Sequence, residues 1–290
     1  MAGVAVVTDS THYLPADVVQ RHGIREVSLY VGFKGEVRRE ADITDFDAFY
    51  EELRSASELP STSQPSIGDF VTVYEPLLEA GHDVLSVHIS GEISGTVRAA
   101  EQARETLVER GIEAGRIHVL DSRSGCATIG LMAVAAANAA REGADLAAAA
   151  AAARRMREAM KVWFAVDSLE YLRRGGRIGA AGAWLGTALK IKPILTIDGT
   201  IVPVERVRTA GRAFDRMVEY MHDRRDAGCD IFFIQHIRAH EVAERLAERG
   251  RAIFGRDPAI VSEIGPVIGA HVGPGFFGVS GLPSELIGPV

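Results

Sequence analysis

Short apolar runs alternate with helix-like patterns through the first half of the chain. The runs VAVVT (4–8), DVLSVHI (83–89) and RIHVLD (116–121) are each followed by a polar turn and then by apolar residues at helical spacing. Continuous apolar runs are typical of buried parallel strands, which helical crossovers connect. The pattern therefore predicts a mainly parallel sheet flanked by helices.

Local signals mark where several elements turn or begin. The segment between the first two strands predicts a hairpin that turns at residues 34–35. Thr44 and Asp47 have the spacing of a capping box, which predicts that a helix begins there. Ser66 and Asp69 repeat that spacing and predict the start of the next helix.

The alternation changes character near residue 160. An Ala-rich helical stretch is broken at EGAD, where Asp145 is a candidate N-cap, and the chain then enters strand KVWFAV (161–166). A hairpin is predicted to turn at Asp198-Gly199, with further helices and strands after it. We therefore expect an α/β protein of two domains, a mainly parallel 1–160 and a mixed α+β 161–290, with a ligand at their junction.

Composition narrows the class of partner. The 290 residues are 47% hydrophobic and 24% charged, with a formal net charge of −7. Without a block of Lys and Arg, this acidic balance argues against nucleic-acid and anionic-membrane partners. The apolar run at 147–153 is too short to span a membrane, and the two cysteines form no pairing or zinc pattern. We expect a cytoplasmic protein with no integral membrane segment.

Three turns combine hydroxyl groups with small residues, namely TDST (8–11), STSQPS (61–66) and SGEISGT (90–96). Hydroxyls and unpaired backbone N–H groups at a helix N-terminus suit an anion, because the helix dipole favours negative charge. Ser94, Gly95 and Thr96 have this chemistry. Ser and Thr are also common N-caps, so each turn alone has a purely structural interpretation.

The sequence lacks the motifs of several other kinds of functional site. Neither a P-loop nor a glycine-rich dinucleotide loop after a strand is present, and the nine His lack partners at metal-ligand spacing, so we expect no metal. A serine hydrolase with Ser94 as nucleophile, His271 as base and Asp9 or Asp121 as the orienting acid is an alternative. The sequence GEISG places the serine one position too late for the G-x-S-x-G elbow.

His271 stands in the Gly- and Pro-rich stretch IGPVIGAHVGPGFFG (264–278), which we interpret as a loop. One interpretation is a structural imidazole that pairs within that loop. The other follows from Phe276 and Phe277 nearby, because an N–H beside an apolar lining suits a ligand with a polar head and an apolar body.

Seven short segments, in order along the chain, together resemble the DegV family of bacterial fatty-acid-binding proteins. They are VTDST (7–11), STSQPS (61–66), SGT (94–96), VLDSRSG (119–125), DSLEYLRRGGRI (167–178), LKIKPIL (189–195) and GAHVGPG (269–275). The resemblance implies a two-domain α/β protein that holds one long-chain fatty acid in a buried tunnel. It also implies that the protein serves as the acyl carrier of a fatty acid kinase.

The resemblance assigns roles to particular residues. It implies that Thr62 and Ser94 bind the fatty-acid carboxylate with His271 close by, and we add the backbone near Gly95 and Thr96. Candidate lining residues of the tunnel are Ile93, Val272, Phe276 and Phe277. The departures from the family pattern are Val97 after the SGT segment and the acidic Glu92 before it.

No catalytic residue and no cofactor are expected in this chain. The resemblance implies that a separate ATP-binding kinase subunit phosphorylates the bound acid to an acyl phosphate for phospholipid synthesis. Arg173, Arg174 and Arg177 are either a solvated helix end or a docking patch for that kinase. A lipid-directed hydrolase that uses Ser94 and His271 and a lipid-sensing regulatory module remain the alternative functions.

Overall fold

The computed structural model describes residues 3–185 and 191–289. Two residues of the LKIKPIL segment, Leu189 and Lys190, lie outside this range. The strands, numbered along the chain, are β1 (Val4–Asp9), β2 (Arg25–Val27), β3 (Tyr30–Phe33), β4 (Glu36–Arg39), β5 (Ser61–Ser63), β6 (Asp83–His88), β7 (Ile117–Asp121), β8 (Lys161–Ala165), β9 (Lys192–Asp198), β10 (Thr200–Val207), β11 (Ile231–His236), β12 (Ile260–Glu263) and β13 (Phe277–Leu282).

The α-helices of the same residues are numbered in the same way. They are α1 (Ala16–Arg21), α2 (Phe46–Ser55), α3 (Ile67–Glu79), α4 (Thr96–Glu109), α5 (Ala127–Arg141), α6 (Leu146–Ala159), α7 (Glu170–Arg174), α8 (Ala210–Asp226), α9 (His240–Phe254) and α10 (Pro266–Val272). This mixture of helices and strands confirms the predicted α/β class.

The contacts divide the chain into two compact units. The first contains residues 1–30, 63–159 and 285–290, and the second contains residues 31–62 and 160–284. The sequence analysis assigned 31–62 to the first domain, because that segment lies between strands of the parallel sheet. In the structure its hydrogen bonds run to α10 of the second unit instead, from Tyr50 and Glu40.

The first unit is built on the parallel sheet that the sequence predicts. Its strand order is β2-β1-β6-β7, and all three neighbouring pairs are parallel. Helices α3 and α4 bury apolar residues against one another and against Val7, Val27 and Val84 of the sheet. Helices α5 and α6 pack together and contact β1 and β6. The carboxyl ends of these strands lead into the turns that carry the candidate site residues.

The second unit contains a mixed sheet of order β10-β9-β8-β13-β11-β12, in which only the β11–β12 pair is parallel. Helices α8 and α9 bury apolar residues in a shared core with this sheet. Strands β4, β3 and β5 form a separate small sheet in that order. The predicted hairpin at Asp198-Gly199 is confirmed, because β9 and β10 pair antiparallel on either side of Gly199.

Strand β13 has no counterpart in the sequence prediction. All six of its residues are buried and it lies at the centre of the mixed sheet. The sequence FGVSGL has two glycines, which weaken any strand pattern. A side chain at Gly281 would stand 2.8 Å from Cβ of Arg224, so the position has room only for glycine.

Helix starts were predicted with mixed success. Ser66 and Asp69 form a complete capping box at the start of α3, and Asp145 accepts a hydrogen bond from the backbone N–H of Ala148 at the start of α6. The prediction for Thr44 is wrong, because Asp45 caps α2 by accepting from the backbone N–H of Ala48. Asp, Ser and Thr are all good N-caps, so adjacent candidates cannot be separated by residue type alone.

A pair of helical glycines tests how tightly the second unit is packed. A Cβ at Gly250 of α9 would lie 2.2 Å from the ring of Phe232, whereas at Gly211 of α8 the nearest atom is 4.0 Å away. We expect Gly250→Ala to lower the free energy of unfolding by about 1–3 kcal/mol through overpacking. Gly211→Ala should leave it unchanged or raise it by up to about 1 kcal/mol, because Ala favours a helix. Urea unfolding followed by circular dichroism measures both, and equal effects would contradict the packing argument.

Candidate functional site

Thr62 and His271 form a hydrogen-bonded pair within the second unit. Oγ1 of Thr62, in β5, lies 2.7 Å from Nε2 of His271, in α10, although 209 residues separate them along the chain. Both residues are half-buried. Thr62 and His271, which the resemblance places near one another, are hydrogen-bonded, with an imidazole beside a hydroxyl group.

His271 lies in a short helix and not in the loop that the sequence analysis expected. Pro266 occupies the first turn of α10, where its missing N–H costs nothing, and Gly273 ends the helix with φ 77°. Glycines at 265, 269 and 273 suggested a loop, but a seven-residue helix fits between the outer two. The helical backbone fixes the direction of the imidazole more closely than a loop would.

Two side chains from the segment 31–62 hold the start of α10. The hydroxyl of Tyr50 donates to the carbonyl oxygens of Ile264 and Gly265, at 2.6 and 2.9 Å. Oε1 of the buried Glu40 accepts from the backbone N–H of Val267 at 2.7 Å. Both contacts are buried, so breaking either would leave a polar group without its partner.

The imidazole of His271 is neutral at ordinary pH. Burial and, to a smaller extent, the nearby positive charge of Arg177 lower its pKa to about 4. Nδ1 is buried without a hydrogen-bond partner among the described residues. It lies so close to Gly175 that a Cβ there would stand 2.3 Å away.

The hydrogen bond to Thr62 is compatible with a proton on either nitrogen of the ring. A proton on Nδ1 would be a buried N–H without an acceptor among the described residues, which native structures rarely contain. With the proton on Nε2, the ring donates to Oγ1 of Thr62. In that tautomer Thr62 keeps its own hydroxyl hydrogen, so the pair can donate to an anion without bearing a net charge.

Ser94 lies in the first unit, in the turn between β6 and α4. Its Oγ lies 2.8 Å from Oγ1 of Thr96, the first residue of α4, and its backbone N–H donates to the carbonyl of Ser90. Gly95 is the N-cap of this helix and has no side chain, and the backbone N–H of Thr96 donates to Oγ of Ser94 at 3.4 Å. The start of α4 therefore has both the hydroxyls and the dipole that suit an anion.

Because Gly95 has no side chain, the amide of Gln64 can pack directly against its backbone. A Cβ at Gly95 would lie 1.8 Å from Oε1 of Gln64, in the STSQPS segment. The sequence analysis assigned that space to a ligand. The structure instead shows the amide of Gln64 against the backbone of Gly95, within the first unit.

Acidic groups close to Ser94 in the sequence are already paired. Glu92, which the sequence analysis noted as a possible source of repulsion, forms an ion pair with Arg123 at 3.1 Å. The carboxylate of Asp121 accepts from the backbone N–H groups of Gly91 and Arg123. Both acidic side chains thus stabilise the turn, and the role of Asp121 is structural.

Asp9 belongs to a buried chain of hydrogen bonds that resembles a catalytic triad in composition. Its Oδ2 lies 3.1 Å from Nδ1 of His88, whose Nε2 lies 2.6 Å from Oγ of Ser86, which in turn accepts from the hydroxyl of Tyr74. Burial alone would raise the pKa of Asp9, but hydrogen bonds from His88, Thr11 and Ile89 hold it below its usual range. Ser86 is fully buried and bonded on both sides, so this chain of groups stabilises the sheet and does not face a substrate.

The four residues predicted to line a tunnel are all at least half-buried. Ile93 is half-buried in the first unit, and Val272, Phe276 and Phe277 are buried in the second. Phe276 stacks on Phe164 with ring centroids 5.2 Å apart, and Phe277 belongs to the core shared with α8 and α9. The lining of a tunnel by these four residues stays a prediction.

Arg173 and Arg174 lie in α7, Arg177 follows that helix, and all three side chains bond to nearby groups. Arg173 forms an exposed ion pair with Glu170, and Arg174 and Arg177 donate to the carbonyl oxygens of Ser57 and Gly175. We call these three arginines of the second unit the basic patch.

Comparison with known proteins identifies what the chain is similar to. The family model "Uncharacterised protein, DegV family COG1307" matches residues 3–284. A DegV domain-containing protein from Clostridium acetobutylicum is 40% identical, with 96% of each chain aligned.

Two solved structures of this kind resemble the chain over almost its whole length. One is described as the fatty acid binding of a DegV family protein from Thermus thermophilus (34% identity, TM-score 0.87, 97% of this chain and 99% of that chain). The other is described as DegV, a fatty acid binding protein from Bacillus subtilis (35% identity, TM-score 0.86, 97% and 99%).

The neutral state of His271 is directly testable by titration. We expect its ring resonances in NMR spectra, assigned by their loss in His271→Gln, to shift only as the pH approaches about 4. An unfolded chain protonates histidine at an ordinary pKa of about 6.5. Since the folded protein excludes that proton, the free energy of unfolding should fall as the pH drops from about 6.5 towards 4, and less so in His271→Gln. A midpoint near 6.5 for His271 would contradict the burial argument.

Proposed function

Because the chain belongs to the DegV family, we propose that it binds a long-chain fatty acid and presents the carboxylate to a partner kinase. The proposal assigns the carboxylate to Thr62 and His271 of the second unit and to Ser94, with the backbone at Gly95 and Thr96, of the first. Two structural relatives above 30% identity are described as fatty-acid-binding proteins, which supports the class of ligand.

The observation that carries the proposal is the hydrogen bond between Thr62 and His271. A hydroxyl hydrogen held in place by a neutral imidazole is a directed donor, and it needs an acceptor to complete its hydrogen bonding. A carboxylate oxygen is the acceptor that forms the strongest such bond, because charge-assisted hydrogen bonds exceed neutral ones.

The energetics require both ends of the ligand to be bound. A chain of about sixteen carbons gains on the order of 12 kcal/mol from burial at roughly 0.8 kcal/mol per CH₂, before ordering costs are subtracted. A carboxylate removed from water without partners would cancel much of that gain. We assign the apolar contacts to Ile93, Val272, Phe276 and Phe277, and the polar contacts to the hydroxyl and imidazole groups.

We propose that the chain is a carrier and that phosphoryl transfer belongs to a separate ATP-binding kinase subunit in the cytoplasm. The sequence has no P-loop and no dinucleotide-binding loop to hold a nucleotide. The acyl phosphate formed on the bound acid would then supply phospholipid synthesis. Arg173, Arg174 and Arg177 are the proposed docking residues, since a kinase that handles phosphates suits a basic neighbour.

The hydrolase alternative meets an obstacle in the hydrogen bonds of its two residues. Nε2 of His271, the atom that a catalytic base would offer to a serine, is bonded to Thr62, and the hydroxyl of Ser94 is bonded to Thr96. Its acid candidates, Asp9 and Asp121, are both engaged in other contacts. A fluorophosphonate probe should therefore leave Ser94 unlabelled.

Lipid binding is tested by native mass spectrometry of the gently desalted recombinant protein, which should carry a fatty acid. Thr62→Val keeps the shape of the side chain but removes the donor, and Ser94→Ala removes the second hydroxyl. Each should weaken binding of added palmitate about 10- to 100-fold. A hydrogen bond to a charged group contributes about 1.5–3 kcal/mol, which corresponds to a change in affinity of that size. Thr62→Ser should retain binding.

The matched control is Thr72→Val, which removes an exposed hydroxyl from α3 that bonds only to the backbone carbonyl of Gly68. It should bind palmitate as the wild type does. A clean apo mass together with no uptake of palmitate or oleate would refute the proposal.

Kinase docking is tested by charge reversal on the basic patch. Arg173→Glu with Arg174→Glu should abolish transfer of phosphate from ATP to the bound acid in a reconstituted kinase assay while lipid binding stays intact, because the complementary charge is lost. Arg177 is left unchanged, because its charge acts on His271. Arg21→Glu reverses an exposed arginine of α1 in the first unit and is the control. Normal transfer in the double variant would exclude the basic patch as the docking site. If the wild type itself supports no transfer with the kinase, the function as a lipid-sensing module is favoured.

A further inference from the structure

Two histidines and a glutamate meet at the ends of neighbouring strands in the second unit. His236 is the last residue of β11 and Glu263 the last residue of β12, and the two are direct partners in the parallel pair. His240 is the first residue of α9, four positions after His236. The strand register and the short connection between β11 and α9 therefore place all three at one edge of the sheet.

The ligating atoms of these side chains converge. One nitrogen from each imidazole and one carboxylate oxygen all lie within 4.8 Å of one another. Oε1 of Glu263 is 4.0 Å from Nδ1 of His236 and 3.8 Å from Nε2 of His240. These separations are too long for hydrogen bonds, so the three groups face a common space without bonding to one another.

His236 supplies a second, independent sign of a missing partner. Its side chain is 6% exposed, and its Nδ1 is buried with no hydrogen-bond partner among the residues that the structure describes. A buried ring nitrogen without a partner is costly, and native proteins seldom leave one. The same nitrogen is the one that points towards Glu263.

We propose that His236, His240 and Glu263 bind a divalent zinc ion. Two imidazoles and one carboxylate are a ligand set that zinc accepts, and three protein ligands leave a fourth position for water. This site consists of other residues than Thr62, Ser94 and His271 and does not depend on the proposed lipid binding.

The distances suit a metal after a small closure. Zinc bonds of about 2.0–2.1 Å place tetrahedral ligands about 3.3 Å apart, so the groups need to approach one another by about 0.5 to 1.5 Å. The His240 side chain is 55% exposed and therefore free to move, whereas Glu263 is 19% exposed. The carboxylate is oriented by the backbone N–H of Arg238, which donates to Oε1 at 2.9 Å.

Solvent reaches the site through an adjoining cavity. A cavity of about 730 Å³ is lined by both His236 and His240 together with polar residues of α9. It gives an ion an entry path and gives the fourth position a place for water or another small ligand. Sequence analysis missed this site because it sought His and acidic residues close together in sequence, and Glu263 lies on a different strand.

The test is zinc titration of the tag-free, chelator-treated full chain against a chromophoric competitor. We expect an equimolar complex, and replacement of zinc by cobalt(II) should give visible d–d absorption. His240→Ala removes an exposed ligand, and Glu263→Gln keeps the shape and the acceptor for Arg238. Each should raise the dissociation constant at least about 10-fold, since even outer-shell changes at metal sites have effects of that size.

The matched control is His222→Ala, which removes an exposed histidine of α8 outside the cluster and should leave the affinity unchanged. Circular dichroism of each variant confirms that it is folded. The proposal is overturned if the wild type takes up no equimolar zinc, if both ligand variants bind as tightly as the wild type, or if His222→Ala loses affinity to the same extent.

Discussion

The hydrogen bond between Thr62 and His271 is the contact on which the proposed lipid chemistry depends. It joins the end of the segment 31–62 to helix α10 within one compact unit. Tyr50 and Glu40 of the same segment hold the first turn of α10. The segment therefore both supplies the hydroxyl and positions its partner, which explains why it packs with the second unit despite its place early in the chain.

The turn that carries Ser94 is shaped mainly by contacts to its backbone. It stands at the carboxyl end of β6 and the N-terminus of α4, where a parallel sheet ordinarily offers donors to a ligand. Backbone hydrogen bonds to Ser90 and the carboxylate of Asp121 shape it, and the Glu92–Arg123 pair neutralises the nearest acid. On the proposed function, the first unit contributes backbone and hydroxyl groups to the anion, whereas the second unit contributes a hydroxyl and an imidazole.

Much of the fold could be predicted from periodicity and caps, because buried parallel strands and capping boxes have local signatures. The parallel sheet, the Asp198-Gly199 hairpin and the start of α3 follow from neighbouring residues alone. Strand β13 could not be predicted in this way. Its Gly281 is required because Arg224, which is distant in sequence, leaves no room for a side chain. For the same reason, burial of His271 against Gly175 and the register that pairs His236 with Glu263 are invisible until the chain is folded.

A neutral imidazole is physically well suited to a carrier. A permanent cation beside a buried carboxylate would form an ion pair whose separation costs several kcal/mol, which would slow release of the acid or its phosphorylated product. Neutral donors bind the same carboxylate with directed hydrogen bonds but hold it less tightly. Burial, which lowers the pKa of His271 to about 4, keeps the ring neutral at physiological pH before an acid binds. On the proposed function, this keeps the affinity dependent on the buried acyl chain and leaves the head group exchangeable.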